Sequence, residues 1–523
     1  IIDATRRSMG NALVVVVLVF IAFGFTGKYL PGFLHHPGLT FKNFINITYI
    51  TNDGIFGQAI YTSSLYIVLF ITLGAIMEVS GVGDYITDLA TSLFGRFRGG
   101  PAKVSVVASG FFGSISGSAV ANVIGTGTFT IPLMKKTGYD PETAAAVEAS
   151  ASTGGQFTPP IMGATAFLIA ERLSIPYFDL VKAAAIPAIL YYISILLAVD
   201  LYAQKNGLSG IKKEECPKFK PMLKRVYLLL PMVFLVYILA VLGKSVARAG
   251  IYTILVTLIV VMFDKQCRLT PKKLLKICVS AAKSSVPVAV ACAMAGVISG
   301  IVMGTGIGFR LSSILIDAAN GSAIILLLLT MFVSLIMGMG IPTISAYIVL
   351  AILVAPALTK MGFSGIASHL FIFYFGCISV ITPPVALASY AAAGLAKCNP
   401  NRAGVRAFRL AICAFILPFL FMYNDALLWQ GAWYEVLWAF ASAVVGVYCL
   451  AAGQEGMFVN WKIKPWERAI LIVGALALVI PQVLTDFIGL GILVATYVFH
   501  KLILKEPPYV AEKREAVSYR EDQ

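Results

Sequence analysis

The sequence predicts an all-α polytopic membrane protein that contains an inverted internal repeat. Hydrophobic residues make up 59% of its 523 residues and charged residues 12%, whereas a soluble domain carries about 25% charged residues. Apolar runs near the length of a membrane span recur along the chain, at 11–31, 226–243, 322–337, 405–422 and 436–452. Backbone groups in lipid have to be paired within their own segment, so these spans are expected to be helices.

The positive charge of the chain follows the ends of the predicted spans. The net charge is +15, but most of the 40 Lys and Arg residues fall in loops that alternation assigns to one side of the membrane. By the positive-inside rule this side is cytoplasmic, and it includes the C-terminal tail from Lys501. Basic residues placed in this way predict a lipid bilayer as partner and exclude nucleic acid.

A set of motifs occurs twice, with an offset of about 225 residues. GSISGSAVAN at 113–122 and QFTPPIMGA at 156–164 recur as GMGIPTISAY at 338–347 and VITPPVALA at 380–388. Glycines, a lysine and the tripeptide Thr-Pro-Pro stay in register between the copies, which makes chance agreement a poor explanation. The repeat therefore predicts two structurally equivalent halves.

The second copy is predicted to be upside down relative to the first. An odd number of predicted spans separates the copies, and Lys136 lies on the Lys/Arg-rich side while its counterpart Lys360 lies on the poor side. Inverted repeats with a site between them are typical of secondary transporters. The sequence thus favours an ion-driven carrier.

Each copy contains a long apolar stretch with a polar centre. Residues 101–134 carry GSISGSAVAN at their middle, and the basic residues Lys103 and Lys135 flank them. A re-entrant hairpin returns to its own side and keeps both lysines cytoplasmic, whereas one overlong helix would separate them. Residues 322–358 repeat the pattern, so two re-entrant helical hairpins are predicted.

Each copy also contains a helix that is predicted to break. STGGQFTPP at 152–160 and SVITPP at 379–384 place adjacent prolines after polar or small residues. Proline lacks an N–H and disfavours helix at the residue before it. Broken helices at membrane depth bind cations with freed carbonyls and anions with half-helix N-termini.

The two hairpin tips and the two breaks are rich in oxygen, which suits sodium, a hard cation. The predicted cation ligands are Ser114, Ser116, Asn122, Thr153, Gly154 and Thr158 in the first copy, and Gly338, Gly340, Thr343, Ser345, Ser379 and Thr382 in the second. They predict two or more sodium sites. The alternative is that these small residues permit close helix packing.

A substrate is expected between the two ion sites. The predicted substrate contacts are Ser116, Gly117, Ser118, Gln156, Thr158, Pro159, Pro342, Thr343, Thr382 and Pro383. Glu148 is an ionisable residue inside a span, so it could carry a proton, assist an ion site or hold its helix to a partner. His369 is interpreted as a satisfied structural histidine. The amphipathic segments 83–97 and 307–319 are predicted to be interfacial arms.

With these motifs assembled, the chain resembles the large membrane subunit of tripartite ATP-independent periplasmic (TRAP) transporters, in particular the TAXI type with fused membrane subunits. The resemblance rests on 113–139, 148–167, 337–348 and 377–394, and DATRRSMG at 3–10 is similar to the junction of such fusions. It implies an elevator-type permease, a TAXI-type solute-binding protein and sodium-driven uptake of a small organic anion, often a carboxylate. It also implies small-subunit helices upstream of residue 1 and a bacterial or archaeal inner membrane.

Other function classes have less support. No serine, histidine and acid constellation, HExxH motif or P-loop occurs, so an enzyme or an ATP-driven pump is not expected. A channel or a membrane enzyme is a lesser alternative. A proton-coupled carrier, or a stand-alone carboxylate carrier that needs no binding protein, stays open.

The predicted domain boundaries follow the repeats. They are an N-terminal helix and periplasmic loop at 1–54, repeat one at 55–207, a cytoplasmic loop with linking helices at 208–271, repeat two at 272–428, and extra C-terminal helices with a cytoplasmic tail at 429–523.

Overall fold

The computed structural model describes residues 1–478, 483–504 and Tyr509. Among these residues the structure is almost entirely helical, and eight helices are long and apolar enough to cross a membrane. The predicted all-α polytopic class is therefore confirmed. Except for Tyr509, the predicted tail at 505–523 lies outside the described residues.

The helices before the first hairpin include two span candidates. Their bounds are α1 Ile2–Met9, α2 Asn11–Thr26, α3 Phe41–Ile45, α4 Gln58–Thr62, α5 Val68–Ser80 and α6 Val82–Phe94. A π-helical segment, Ser63–Ile67, makes α4 and α5 continuous as one span candidate. Gly81, with φ 95°, ends α5 in the left-handed conformation and turns the chain into the amphipathic α6.

The first repeat continues with α7 Gly100–Ser116, α8 Ala119–Lys136, α9 Pro141–Gly154, α10 Ala164–Leu173 and α11 Tyr177–Lys205. Helices α7 and α8 pack against each other as the predicted helical hairpin. The predicted break follows α9, where a short 3₁₀ turn, Gly155–Phe157, precedes the two prolines.

The linking region contains α12 Phe219–Leu223, α13 Leu230–Ala240 and α14 Val246–Phe263, and the second repeat begins with α15 Pro271–Thr305 and α16 Ile307–Ala318. Helix α15 begins at Pro271, where Thr270 caps it by accepting from the Lys273 backbone N–H at 3.3 Å. Gly306, with φ 69°, separates α15 from α16 as Gly81 separates α5 from α6.

The second repeat contains α17 Ala323–Gly338, α18 Thr343–Leu353, α19 Ala355–Lys360, α20 Gly365–Ile378, α21 Leu387–Ala396, α22 Pro400–Leu410 and α23 Ile412–Tyr423. Helices α17 and α18 form the second predicted hairpin, and the second predicted break separates α20 from α21. The C-terminal extension comprises α24 Trp433–Glu455, the antiparallel strands β1 Met457–Phe458 and β2 Trp461–Lys462, α25 Pro465–Ala477 and α26 Val483–Val498.

The chain divides into two compact units that cut across the repeats. One unit contains Ile1–Val82, Pro160–Val181 and Tyr227–Val380, and the other contains Gly83–Pro159, Lys182–Val226 and Ile381–Gln523. Two of the boundaries fall in the two helix breaks, so each broken helix contributes one half to each unit. In the first unit α20 packs against α17 and α18. In the second unit α9 packs against α7, α8, α21 and α22.

Candidate functional site

The first candidate site is the contact between the tip of hairpin α7–α8 and the break after α9. A Cβ added to Gly113 would lie 2.7 Å from the Cα of Gly155 and 2.5 Å from the side-chain amide of Asn122. No residue larger than glycine fits this approach of two backbones. At the tip itself Gly117 has φ 63°, and the exposed Ser118 caps α8.

Asn122 is buried where the hairpin and the broken helix meet. Its amide donates to the carbonyl oxygens of Ser109 at 2.8 Å and Ser152 at 3.3 Å. One side chain therefore ties both arms of the hairpin to α9. This places Asn122, Gly113 and the break at Gly154–Gly155 together, as the motif spacing predicts.

The backbone at the first break has hydrogen-bond partners from nearby hydroxyls. Thr158 donates to the carbonyl of Gly154 at 2.6 Å, and Thr153 donates to Ala149 one turn earlier at 2.8 Å. On α11, Tyr191 donates to the Ser150 carbonyl at 2.6 Å, and Tyr192 to that of Ala151 at 3.0 Å. Of these acceptors, the Gly154 carbonyl lies at the break itself, and the other three lie in the preceding turns of α9. A cation at this point would replace the Thr158 hydroxyl or share its oxygen.

The remaining predicted residues of the first site lie in three different settings. Ser114 donates to the carbonyl of Phe111 at 2.8 Å, one turn back in its own helix. The Ser116 hydroxyl oxygen is buried and has no hydrogen-bond partner in the described part of the chain. Gln156 is buried in the 3₁₀ turn. Pro159 is the last residue of the stretch Gly83–Pro159, which belongs to the same compact unit as the hairpin.

Glu148 is the centre of a hydroxyl cluster that the sequence did not predict. Its fully buried carboxylate accepts hydrogen bonds of 2.5 to 3.1 Å from hydroxyls on both arms of the hairpin and on its own helix. The donors are Ser105, Ser109, Thr126, Thr130 and Ser152. Charge-assisted hydrogen bonds of this kind compensate the cost of burying a carboxylate.

The spacing of the hydroxyl donors in the sequence indicates that they share helix faces. Ser105 and Ser109 are four residues apart on α7, and Thr126 and Thr130 are four apart on α8. Residues at this spacing share one helix face. Two such faces beside an ionisable residue on a third helix could have identified the cluster. Gly127 on α8 leaves space for the Glu148 side chain, because a Cβ at this position would lie 3.1 Å from it.

The second candidate site repeats the hairpin contact in the other unit. A Cβ added to Gly338 would lie 2.3 Å from the hydroxyl oxygen of Ser379, which itself donates to the Gly376 carbonyl at 2.7 Å. Gly340, with φ 77°, makes the turn, and Pro342 caps α18 ahead of Thr343. The hairpin tip again meets the break through glycine.

The polar residues of the second site differ from those of the first. Tyr347 occupies the position equivalent to Asn122, and its hydroxyl lies 2.8 Å from Nδ1 of His369, which agrees with the interpretation of a satisfied histidine. The buried hydroxyl of Ser345 has no hydrogen-bond partner among the residues that the structure describes. Thr382 and Pro383 follow the break and belong to the other unit.

Comparison with known proteins identifies the family. Residues 1–436 match the DctM component of the tripartite ATP-independent periplasmic transporter. The chain belongs to this TRAP permease family. It is therefore a transport protein and not an enzyme, and a multi-pass protein of the inner membrane. This outcome confirms the resemblance to the TRAP large subunit.

The TRAP relatives are distant in sequence. A TRAP transporter large permease protein from Haemophilus influenzae is 25% identical over 69% of this chain and 84% of its own length. The sialic acid TRAP transporter permease protein SiaT from the same species is 24% identical over 68% of this chain and 56% of its own. The C4-dicarboxylate permease DctM from Vibrio cholerae is 33% identical, over 28% of this chain and 31% of its own.

Proposed function

We propose that the chain is the permease of a binding-protein-dependent secondary transporter, which imports a small organic anion by an elevator mechanism coupled to a cation gradient. The observation that carries the proposal is the glycine-lined contact between hairpin tip and broken helix, found at Gly113–Gly155 and again at Gly338–Ser379. Such junctions bring backbone and hydroxyl oxygen together inside helical packing, where a dehydrated cation can be coordinated.

Sodium is the coupling ion that the oxygen chemistry of both junctions favours. The ligands proposed are the hydroxyls and carbonyls named above around Ser116, Thr158 and Thr343, none of which requires a proton to be gained or lost. An organic anion, of the carboxylate class, would bind near the coupling cations. Relatives named for C4-dicarboxylates and for sialic acid indicate which solutes to test first.

Proton coupling is the second candidate, and the Glu148 cluster is the observation that favours it. Each hydroxyl around the carboxylate can donate or, after rotation, accept. The cluster can therefore solvate Glu148 both with and without a proton. In this alternative Glu148 in the first half would carry the proton. The second half would not carry one, since the position equivalent to Glu148 is Ile372.

The proposed partners are an extracytoplasmic solute-binding protein, of the TAXI type, and small-subunit-like helices of the same assembly. The C-terminus is proposed to be cytoplasmic. The chain is purified together with the small-subunit-like helices and reconstituted with the binding protein. Uptake of each labelled solute is then measured under an inward sodium gradient, an inward proton gradient and neither.

Sodium-dependent uptake that survives Glu148→Gln supports sodium coupling, and proton-dependent uptake that this substitution abolishes supports the second candidate. Uptake of equal rate without the binding protein would favour a stand-alone carrier. Uptake that no imposed gradient accelerates would overturn the proposal altogether.

A further inference from the structure

A basic segment, residues 212–225, links two apolar helices. The span candidate Tyr177–Lys205 ends before it, and the apolar helix Val226–Ala240 begins directly after it. Both ends of the segment are therefore held at a membrane surface. Its basic side chains are Lys212, Lys213, Lys218, Lys220, Lys224 and Arg225, and all except the half-buried Arg225 are exposed.

The acidic residues of the segment offset little of this charge. Glu215 is paired with Lys136 at the end of hairpin helix α8, at 2.9 Å, and this lysine lowers the pKa of the Glu215 carboxyl. Glu214, the other acidic residue of the segment, is exposed and does not pair with Lys136. The outward surface is thus strongly cationic.

The segment is anchored to amphipathic helix α6. Tyr85 donates to the carbonyl of Met222 at 3.1 Å, and the Arg225 guanidinium lies 5.4 Å from the centre of the Tyr85 ring. Burial raises the pKa of Asp88 on the same helix, and the nearby Arg225 opposes this rise. At the other end, Ile211 donates to the Gly95 carbonyl at 2.8 Å.

Two apolar side chains project among the lysines. Phe219 is 43% exposed and Leu223 is 51% exposed, and both lie on the short helix α12, one turn apart. The positive-inside rule accounts for the sign of the charge at this position. It does not account for an anchored helix that exposes a phenylalanine and a leucine between lysines, which is the composition of a bilayer-surface element.

We propose that residues 212–225 bind the anionic lipid headgroups of the membrane surface, with Phe219 and Leu223 inserted between the headgroups and the lysines around them paired with phosphate. Because the segment is attached to α6 and to the end of α8, anionic lipid holds this face of the unit against the bilayer. This site is separate from the cation and substrate sites proposed above.

The test is hydrogen–deuterium exchange of residues 211–226 in the full chain, reconstituted in nanodiscs of phosphatidylcholine with or without phosphatidylglycerol. With phosphatidylglycerol, exchange is expected to be about tenfold slower, and this protection is expected in about 0.01 M salt and lost in about 1 M salt. Equal exchange in the two kinds of nanodisc overturns the proposal.

Variants separate lipid binding from folding. Lys218→Gln, Lys220→Gln and Lys224→Gln together are expected to abolish the protection. The matched control removes the same charge from the next exposed basic segment, which includes the start of α15, with Lys265→Gln, Lys272→Gln and Lys276→Gln. This control is expected to keep the protection. Unchanged exchange of helix α9 shows that each variant is folded. Protection that persists in the first triple variant contradicts the proposal.

Discussion

The two hairpins share a design at their tips and differ in their interiors. In the first, helix α9 presents Glu148 to hydroxyls of both hairpin arms, including Ser105 and Ser109. In the second, the equivalent hydroxyls Thr330 and Ser334 are still present and fully buried, but Ile372 stands where the carboxylate would be. The hydroxyl oxygens of Thr330 and Ser334 have no hydrogen-bond partner within the described residues.

This difference shows that the repeat preserves the contact geometry and not the electrostatics. Glycine at the tip is required in both halves, because backbone or a small side chain meets backbone there. In the second half the hairpin α17–α18 forms without a carboxylate at the matching position. One half of the molecule thus holds an ionisable group in its core, and the matching position in the other half is the buried Ile372 of α20, a helix made largely of aromatic and aliphatic residues.

The largest expected effect is the loss of the carboxylate. Glu148→Ala should lower the free energy of unfolding by about 3 kcal/mol, because several hydroxyls lose their acceptor in a buried site. Thr126 and Thr130 keep backbone acceptors, at the carbonyls of Asn122 and Thr126. Thermal unfolding in detergent measures the effect, and Glu148→Gln, which retains one acceptor oxygen, should lose less. Equal stability of both variants and the parent would contradict the cluster.

Substitutions of Gly113 and Gly338 should distinguish the two halves, because a second substitution can restore stability in only one of them. Gly113→Ala and Gly338→Ala should each cost about 1–3 kcal/mol through overpacking. In the second half the clash is with the Ser379 side chain, so Gly338→Ala combined with Ser379→Gly should recover most of the stability. After that change the nearest remaining atom is the Gly376 carbonyl oxygen at 3.3 Å.

No such rescue exists in the first half, where the methyl group meets the backbone of Gly155. The measurement is the unfolding temperature of the three variants in one detergent. If the double variant is as unstable as Gly338→Ala alone, the contact in the second half is not the one described.

The smallest expected effects come from the equivalent hydroxyls. Ser109→Ala removes a donor to Glu148 and should cost about 1–2 kcal/mol. Ser334→Ala removes a buried hydroxyl that has no partner in the described chain, so stability should be unchanged or slightly higher. Thermal unfolding of the two variants side by side compares the same chemical change in the two halves. A larger loss for Ser334→Ala would show that the second half contains a polar contact of its own.

The sequence by itself determined the helical class, the repeat and the two hairpins with their paired breaks. Each of these depends on local chemistry: apolar length, glycine at turns and proline at breaks act on the backbone within a few residues. The motifs were also sufficient to indicate the TRAP family, and they predicted that residues of each hairpin tip would lie close to a helix break.

The spacing of the hydroxyls marks them as candidates, and the tertiary structure decided that they surround the ionisable residue. Glu148 could be placed inside a span from sequence, but its donors come from two other helices, and their faces depend on how α7 and α8 rotate against α9. It also decided that Tyr191 and Tyr192 of α11 donate to the carbonyls of α9. Hydrogen bonds between helices depend on packing, and packing is set by the whole set of contacting side chains and not by the local sequence.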